Sequence, residues 1–197
     1  MPFLAVVLAA IHLLIWFLGS EQATELWQRY GVIFVTDAPW SPQIAARLGT
    51  GILFHTDVWH LATNLIFLLV FGMPLERQWG ALRTALFLML AGTVGNLVMM
   101  LNMTPNAAPV IGASGAISGV IGAYLVNFPT SRIGLLIPLG LFVQYVRVPA
   151  LVVIGAWIGL QIAYTLFEVA LGPVAWWAHV AGFVSGVVFA AVVKMFR

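Results

Sequence analysis

The sequence predicts an all-α, polytopic membrane protein built as a bundle of six transmembrane helices. Of its 197 residues, 62% are hydrophobic and only 7% are charged, and the mean hydropathy is +1.06. A soluble domain carries about 25% charged residues. Six apolar segments also approach the roughly 20 residues that a spanning helix needs. No linker or tandem repeat interrupts the chain, so residues 1–197 are interpreted as one domain.

Each apolar segment is assigned to one helix in chain order. The predicted spans are 2–19, 58–74, 82–101, 113–128, 150–168 and 176–196. The first is interpreted as a retained helix and not as a signal peptide, because no basic residue precedes Arg29. Residues 20–57 are polar and aromatic, which favours a structured loop in the membrane interface. Residues 133–148 are broken by Pro138, which favours an interfacial segment over a seventh span.

The basic residues predict the orientation of the bundle. With the N-terminus inside, six of the 8 basic residues lie on the inner side and two, Arg29 and Arg47, lie outside. The positive-inside rule favours this arrangement. We therefore expect a multi-pass integral membrane protein with both termini in the cytoplasm. The inner set comprises Arg77, Arg83, Arg132, Arg147, Lys194 and Arg197.

Composition also excludes several classes of function. The chain contains no cysteine, which excludes disulfides, thiol catalysis and cysteine-ligated metals. Its formal net charge of +2 provides no basic patch for nucleic acid. No cofactor and no metal site are expected, and the oligomeric state is not predicted.

Two stripes of small residues predict how the fourth and sixth helices pack. The stretch "VIGASGAISGVIGAYL" at 110–125 contains Gly115 and Gly119 at GxxxG spacing, which permits close helix approach. The sixth helix carries a matching stripe. Both stripes begin beside a polar residue, Ser114 in one helix and His179 in the other, so their packing would bring hydroxyl and imidazole together. The second stripe comprises Ala178, Gly182, Gly186 and Ala190.

Four polar residues are predicted to share the outer third of the bundle. Ser114 and His179 begin their helices, and His60 and Asn64 lie one turn apart on one face of the second helix. Intramembrane polar groups tend to face the bundle interior or a water-filled cavity. Taken singly, a serine such as Ser114 is more often a packing residue and a histidine such as His179 more often a structural one. Asn64 alone is explained by a hydrogen bond across helices, and Ser118 is interpreted as a packing residue.

Four motifs together resemble those of the rhomboid intramembrane serine proteases. They are "GASG" at 112–115, "HTDVWHLATN" at 55–64, "ERQWG" at 76–80 and "AHVAGFVSG" at 178–186. The resemblance implies a six-helix bundle with a Ser–His dyad, in which Ser114 is the nucleophile and His179 the general base. It implies that His60, Asn64 and the Ser114 backbone N–H stabilise the oxyanion. Glycines near the site would be structural: Gly112, Gly115, Gly119, Gly182 and Gly186.

The resemblance also implies the substrate and the location. Such an enzyme cleaves transmembrane segments of other membrane proteins near the outer face of the bilayer, and the minimal six-helix form is typical of the prokaryotic inner membrane. In some members an aromatic residue one turn after the nucleophile stacks on the catalytic histidine. Ser118 stands at that place here, so His179 needs another support. The loop 168–175 is expected to act as a mobile cap.

Two other classes of function stay open. A small transporter or channel would also gather polar groups, but through the full depth of the bundle. A non-catalytic rhomboid-like protein that binds membrane clients would share the fold, but such proteins typically lack the nucleophile or the base. This chain has both, which favours the protease.

Overall fold

A computed structural model describes residues 1–34, 40–104, 107–139, 142–167 and 175–196. Within these ranges the chain is mostly helical, with one short two-stranded sheet and a 3₁₀ turn at Gly51–Leu53. The elements are α1 (Pro2–Leu18), α2 (Ser20–Tyr30), α3 (Pro42–Thr50), α4 (Val58–Trp79), α5 (Ala81–Leu101), α6 (Ser114–Asn127), β1 (Arg132–Leu139), β2 (Phe142–Pro149), α7 (Ala150–Leu166) and α8 (Trp176–Met195).

The six predicted apolar helices all form, with ends close to those expected, although α4 continues through Pro74 to Trp79. Three of them, α4, α5 and α8, have 22, 21 and 20 residues and are long and apolar enough to cross a membrane. The other three, α1, α6 and α7, have 17, 14 and 17 residues. Six spanning helices therefore stay a prediction, whereas a helical membrane protein is supported.

The prediction of an all-α chain is wrong for the segment 133–148. This segment forms an antiparallel hairpin in which β1 pairs with β2 from Arg132↔Pro149 to Leu139↔Phe142. A proline inside a helix costs about 3 kcal/mol, and β2 is rich in the β-branched and aromatic residues that favour strands. The expectation that the segment is not a seventh spanning helix is confirmed.

The connection between the first two spans is ordered, as expected, where the structure describes it. Helix α2 follows α1 after Gly19, and α3 begins after Ser41, whose side chain accepts a hydrogen bond from the Ile44 N–H. Ile44 and Leu48 on α3 pack with Met100 at the end of α5. This contact seats the connection against one end of the bundle.

Helix α6 lies at the centre of the bundle, and every residue from Gly115 to Tyr124 is buried. Its contact with α8 is the most extensive helix–helix contact described. A Cβ at Gly182 would overlap the carbonyl oxygen of Gly115, and one at Gly186 would overlap that of Gly119. The predicted packing of the two small-residue stripes is confirmed, since only glycine lets these backbones touch.

Helix α6 is too short to span a bilayer by itself. Fourteen residues extend only about 21 Å, whereas the hydrocarbon core of a bilayer is about 30 Å thick. One end of α6 must therefore lie inside the bundle, short of the ends of the longer helices around it. Residues 107–113, which precede Ser114, are not helical.

Candidate active site

Helices α4, α6 and α8 begin at the same end of the bundle, and their first turns converge on one cavity. Ser114 is the first residue of α6, and His179 lies in the first turn of α8. The Ser114 hydroxyl donates a hydrogen bond to Nε2 of His179, with 2.8 Å between the two atoms. His179 is only 9% exposed, whereas Ser114 is partly buried and lines the cavity, so the imidazole is the better shielded member of the pair. The structure thus brings together the two residues expected to form the dyad.

The chain before Ser114 is held by backbone hydrogen bonds to the connection between the first two spans. Val110 and Val32 exchange two such bonds, and the Gly112 N–H donates to the Gly51 carbonyl at 2.9 Å. Gly112 has a φ of +137°, and a Cβ there would lie 2.8 Å from Nε2 of His60. Gly112 is therefore required both by the backbone turn and by the close approach of the imidazole.

The N-terminus of α6 presents unpaired backbone donors beside the hydroxyl. The first hydrogen bond of this helix runs from the Ile117 N–H to the Ala113 carbonyl. The N–H groups that precede Ile117 in α6 have no partner within the helix, and the helix dipole adds positive potential at this end. A negative oxygen next to Ser114 would meet donors that are already in place.

Asn64 projects from α4 into the same cavity and is 5% exposed. Its Nδ2 donates to the backbone carbonyl of His60 at 2.7 Å. A side-chain amide nitrogen carries two protons. One N–H of Asn64 is therefore tied to its own helix, and the second remains to be offered to a bound group.

A hydrogen-bond chain determines which nitrogen of His60 carries the proton. The Thr56 hydroxyl donates to Oδ2 of Asp57 at 2.8 Å, and Thr56 Oγ1 lies 3.1 Å from Nδ1 of His60. A hydroxyl has one proton, so Nδ1 must donate to Thr56. The Nε2 atom of the neutral ring then carries a lone pair. His60 would donate from Nε2 only as the imidazolium ion or after the Thr56 hydroxyl turns.

Asp57 also caps α4, because its Oδ1 accepts from the N–H groups of Trp59 and His60, both at 2.9 Å. Hydrogen bonds hold the pKa of Asp57 below its usual value. The largest contribution comes from the His60 N–H, and the Thr56 hydroxyl and the Trp59 N–H add to it. Asp57 is therefore ionised at neutral pH and acts as the acceptor at the end of this chain.

His55 lies behind His60, in the connection before α4. It is 0% exposed, neither ring nitrogen has a partner among the described residues, and its ring meets that of His60 edge-on at 5.0 Å. Burial, together with the neighbouring histidines, lowers the pKa of His55 to about 3. His55 is therefore neutral at physiological pH and supports His60 by packing.

The support of His179 comes from α7 and α8, and sequence reasoning missed it. Nδ1 of His179 donates to Oε1 of Gln161 at 2.7 Å, while the rings of Trp157 and Trp176 lie 6.5 Å and 6.1 Å from the imidazole. Ser118 instead donates to the Ser114 carbonyl at 2.7 Å and is 1% exposed. The signal available in the sequence was a lone amide within the apolar helix α7.

The cavity at this end of the bundle has a volume of about 770 Å³. Ser114, His179, His60 and Asn64 all line it, and so do the apolar side chains of Phe67 and Trp157. Among the described residues no cluster of three or more His, Asp or Glu side chains could hold a metal ion. The expected cap at 168–175 lies outside the described residues except for Ala175, which also lines the cavity.

Comparison with known protein families shows the family to which the chain belongs. The model of the rhomboid domain family matches residues 42–196. This match covers most of the chain and includes all the motifs on which the resemblance rested. The protein belongs to the rhomboid family, and its apolar helices accord with an integral membrane protein.

Individual relatives match over shorter segments. "RHOMBOID-like protein 6, mitochondrial" from Arabidopsis thaliana is 33% identical over 43% of this chain and 27% of its own length. "Rhomboid-like protease 3" from Toxoplasma gondii is 40% identical over 39% of the chain and 28% of its own length. "Inactive rhomboid protein 1" from Drosophila melanogaster is 35% identical over 43% of the chain and 6% of its own length. The matched segments thus span less than a third of each relative, and these relatives bear the names of both protease and inactive proteins.

Proposed function

We propose that this protein is an intramembrane serine endopeptidase that cleaves transmembrane segments of other membrane proteins. Ser114 is the nucleophile and His179 the general base. The hydrogen bond of 2.8 Å between Ser114 Oγ and His179 Nε2, in a cavity that opens at one end of the bundle, carries the proposal. Nucleophile and base within hydrogen-bond reach, with the base oriented by a third group, are typical of activated serine nucleophiles.

The first half of the reaction follows from this geometry. As Oγ of Ser114 forms a bond to the peptide carbonyl carbon, the hydroxyl proton moves to Nε2 of His179. The carbonyl oxygen becomes an oxyanion, which the Ser114 backbone N–H and the free N–H of Asn64 stabilise. Collapse of this intermediate breaks the C–N bond, and the proton on Nε2 passes to the leaving amine.

Water completes the reaction. It attacks the acyl-enzyme, His179 accepts its proton, and Ser114 is released with that proton as the carboxylic acid product leaves. The cavity of about 770 Å³ provides the route by which water reaches a serine that lies inside the bundle. The reaction needs no cofactor.

The substrate must present an accessible peptide bond at the depth of Ser114. A continuous helix engages its carbonyls in i→i−4 hydrogen bonds, so segments weakened by glycine or proline are preferred. The partners are therefore transmembrane proteins within the same bilayer. The site faces the outer side of a prokaryotic inner membrane, with both termini cytoplasmic. Impermeant labelling of single cysteines at Thr24 (outside) and Gln78 (inside) tests this orientation.

Cleavage of a transmembrane reporter in liposomes tests the proposal. Ser114→Ala and His179→Ala are expected to abolish cleavage without loss of folding, because each removes one member of the reacting pair. Ser118→Ala is the matched control and keeps activity, since that hydroxyl is bonded to its own helix. Full cleavage by Ser114→Ala would refute the assignment.

The second candidate is a non-catalytic rhomboid-like binder of membrane proteins, since one relative is named an inactive rhomboid protein. A binder would capture the reporter without cleaving it, and its capture would not depend on Ser114. A transporter is less well supported, because the deeper lining of the cavity includes Phe67, Ile121 and Trp157.

A further inference from the structure

Helix α7 contains a buried amide that the proposed dyad does not explain. Gln161 is 8% exposed and lies on the helix face that meets α8. Burying an amide in an apolar setting is unfavourable unless it forms hydrogen bonds. Its Oε1 lies 2.7 Å from Nδ1 of His179, on the side of the imidazole opposite to Ser114.

We propose that Gln161 is the positioning residue that sets the tautomer and the orientation of His179. This inference rests on the proposed protease function. The amide oxygen only accepts, so the ring proton resides on Nδ1 and Nε2 keeps its lone pair. That lone pair is what the Ser114 hydroxyl needs. In the opposite tautomer an N–H would face the hydroxyl, and the ring could not remove its proton.

No other neighbour among the described residues takes this role. Ser118, at the position one turn after the nucleophile, uses its hydroxyl on the Ser114 carbonyl. Trp157 and Trp176 restrict the tilt of the imidazole, but an indole has no acceptor with which to select a tautomer. Helices α6, α7 and α8 contain no Asp or Glu. Gln161 thus occupies the place that a carboxylate takes in a Ser-His-Asp triad.

An amide suits this place better than a carboxylate would. A buried carboxylate is costly to desolvate in an apolar environment, whereas a neutral amide brings a strong acceptor and no charge. Thr165 lies one turn further along α7. Its hydroxyl donates to the backbone carbonyl oxygen of Gln161 at 2.7 Å, and not to the side-chain amide or to His179. Thr165→Val therefore perturbs the same helix turn without removing the acceptor, and it serves as the matched control.

Steady-state cleavage by the full chain in liposomes tests the inference. Gln161→Leu, which keeps the size but removes the acceptor, is expected to lower kcat roughly 10- to 100-fold with KM within about twofold. Gln161→Glu is expected to recover most of kcat, because it restores an acceptor at the same position. Thr165→Val is expected to stay within about twofold of the wild type for both constants.

The outcomes separate the inference from the function on which it rests. Wild-type kcat in Gln161→Leu, or an equal loss in Thr165→Val, overturns the positioning role while leaving the dyad in place. Cleavage by Ser114→Ala overturns the protease itself. If Gln161→Leu does not fold, nitrogen-15 NMR of histidine-labelled wild type decides, with His179 assigned through His179→Ala. An Nδ1–H tautomer supports the inference, and an Nε2–H tautomer refutes it.

Discussion

The two sides of the cavity are built differently. On the side of α6 and α8, backbone lies against backbone, and the glycines beneath Ser114 and His179 permit the close approach at which these two residues meet. On the side of α4 and α7, Asn64 and Gln161 reach the site through their side chains. The first arrangement sets the distance between Ser114 and His179. The second sets the hydrogen-bonding environment, so the two sides should respond differently to mutation.

The largest effect is expected from Gly182→Ala, which breaks the backbone contact. The added methyl would overlap the Gly115 carbonyl oxygen, so α6 and α8 must separate. We expect a loss of about 3 kcal/mol or more in unfolding free energy, with cleavage abolished. Gly159→Ala in α7 is the control, because nothing lies within 4 Å of its Cβ. Equal melting temperatures for the two variants would contradict the claim that the backbone contact between α6 and α8 stabilises the fold.

A smaller, purely kinetic effect is expected on the side of α4. Asn64→Ala removes a donor from the oxyanion and should lower kcat about 100-fold, with KM and melting temperature nearly unchanged. His60→Ala should cost less at neutral pH, because Nδ1 carries the proton of the neutral ring. Steady-state kinetics and thermal unfolding on the same preparations measure both. An unchanged kcat in both variants would remove α4 from the mechanism.

The effect that is smallest at neutral pH concerns the pH dependence of stability through His55. Its pKa is about 3 in the folded state against 6.5 for an ordinary histidine, so the unfolded chain binds the proton more readily. Stability is then lost as pH falls below about 6.5, at up to about 1.4 kcal/mol per pH unit. His55→Phe should flatten this slope between pH 6 and 4 in detergent unfolding assays. A slope identical to that of the wild type would refute the role assigned to His55 burial.

Much of the site could be predicted because it depends on spacing along helices. The i, i+4 spacing of His60 and Asn64 places both side chains on one face of α4. The small-residue stripes likewise show which faces of α6 and α8 can pack closely. The hairpin at Arg132–Pro149 was missed, because a short apolar stretch fits an interfacial helix as well as a strand. A strand also depends on pairing with a partner, which the sequence does not state.

Gln161 could not be assigned for a different reason. Nothing in the sequence states which face of α7 turns toward α8, and one amide carries no periodic signal. Its role appears only when helix rotation places Oε1 against Nδ1 of His179. The position of the proton on Nδ1 of His60 could not be predicted from the sequence either. It depends on the hydrogen bonds that link His60 to Thr56 and Thr56 to Asp57.

The sequence by itself determined the apolar helices, their order, the glycine contact and the identity of the nucleophile and base expected from the rhomboid motifs. Hydropathy and helical periodicity are local properties, so they can be read without coordinates. Only the tertiary structure decided which side chains orient the two histidines at the cavity. Hydrogen bonds require atoms from separate elements to lie within about 3 Å in the right direction. That condition depends on how each helix is rotated against its neighbours.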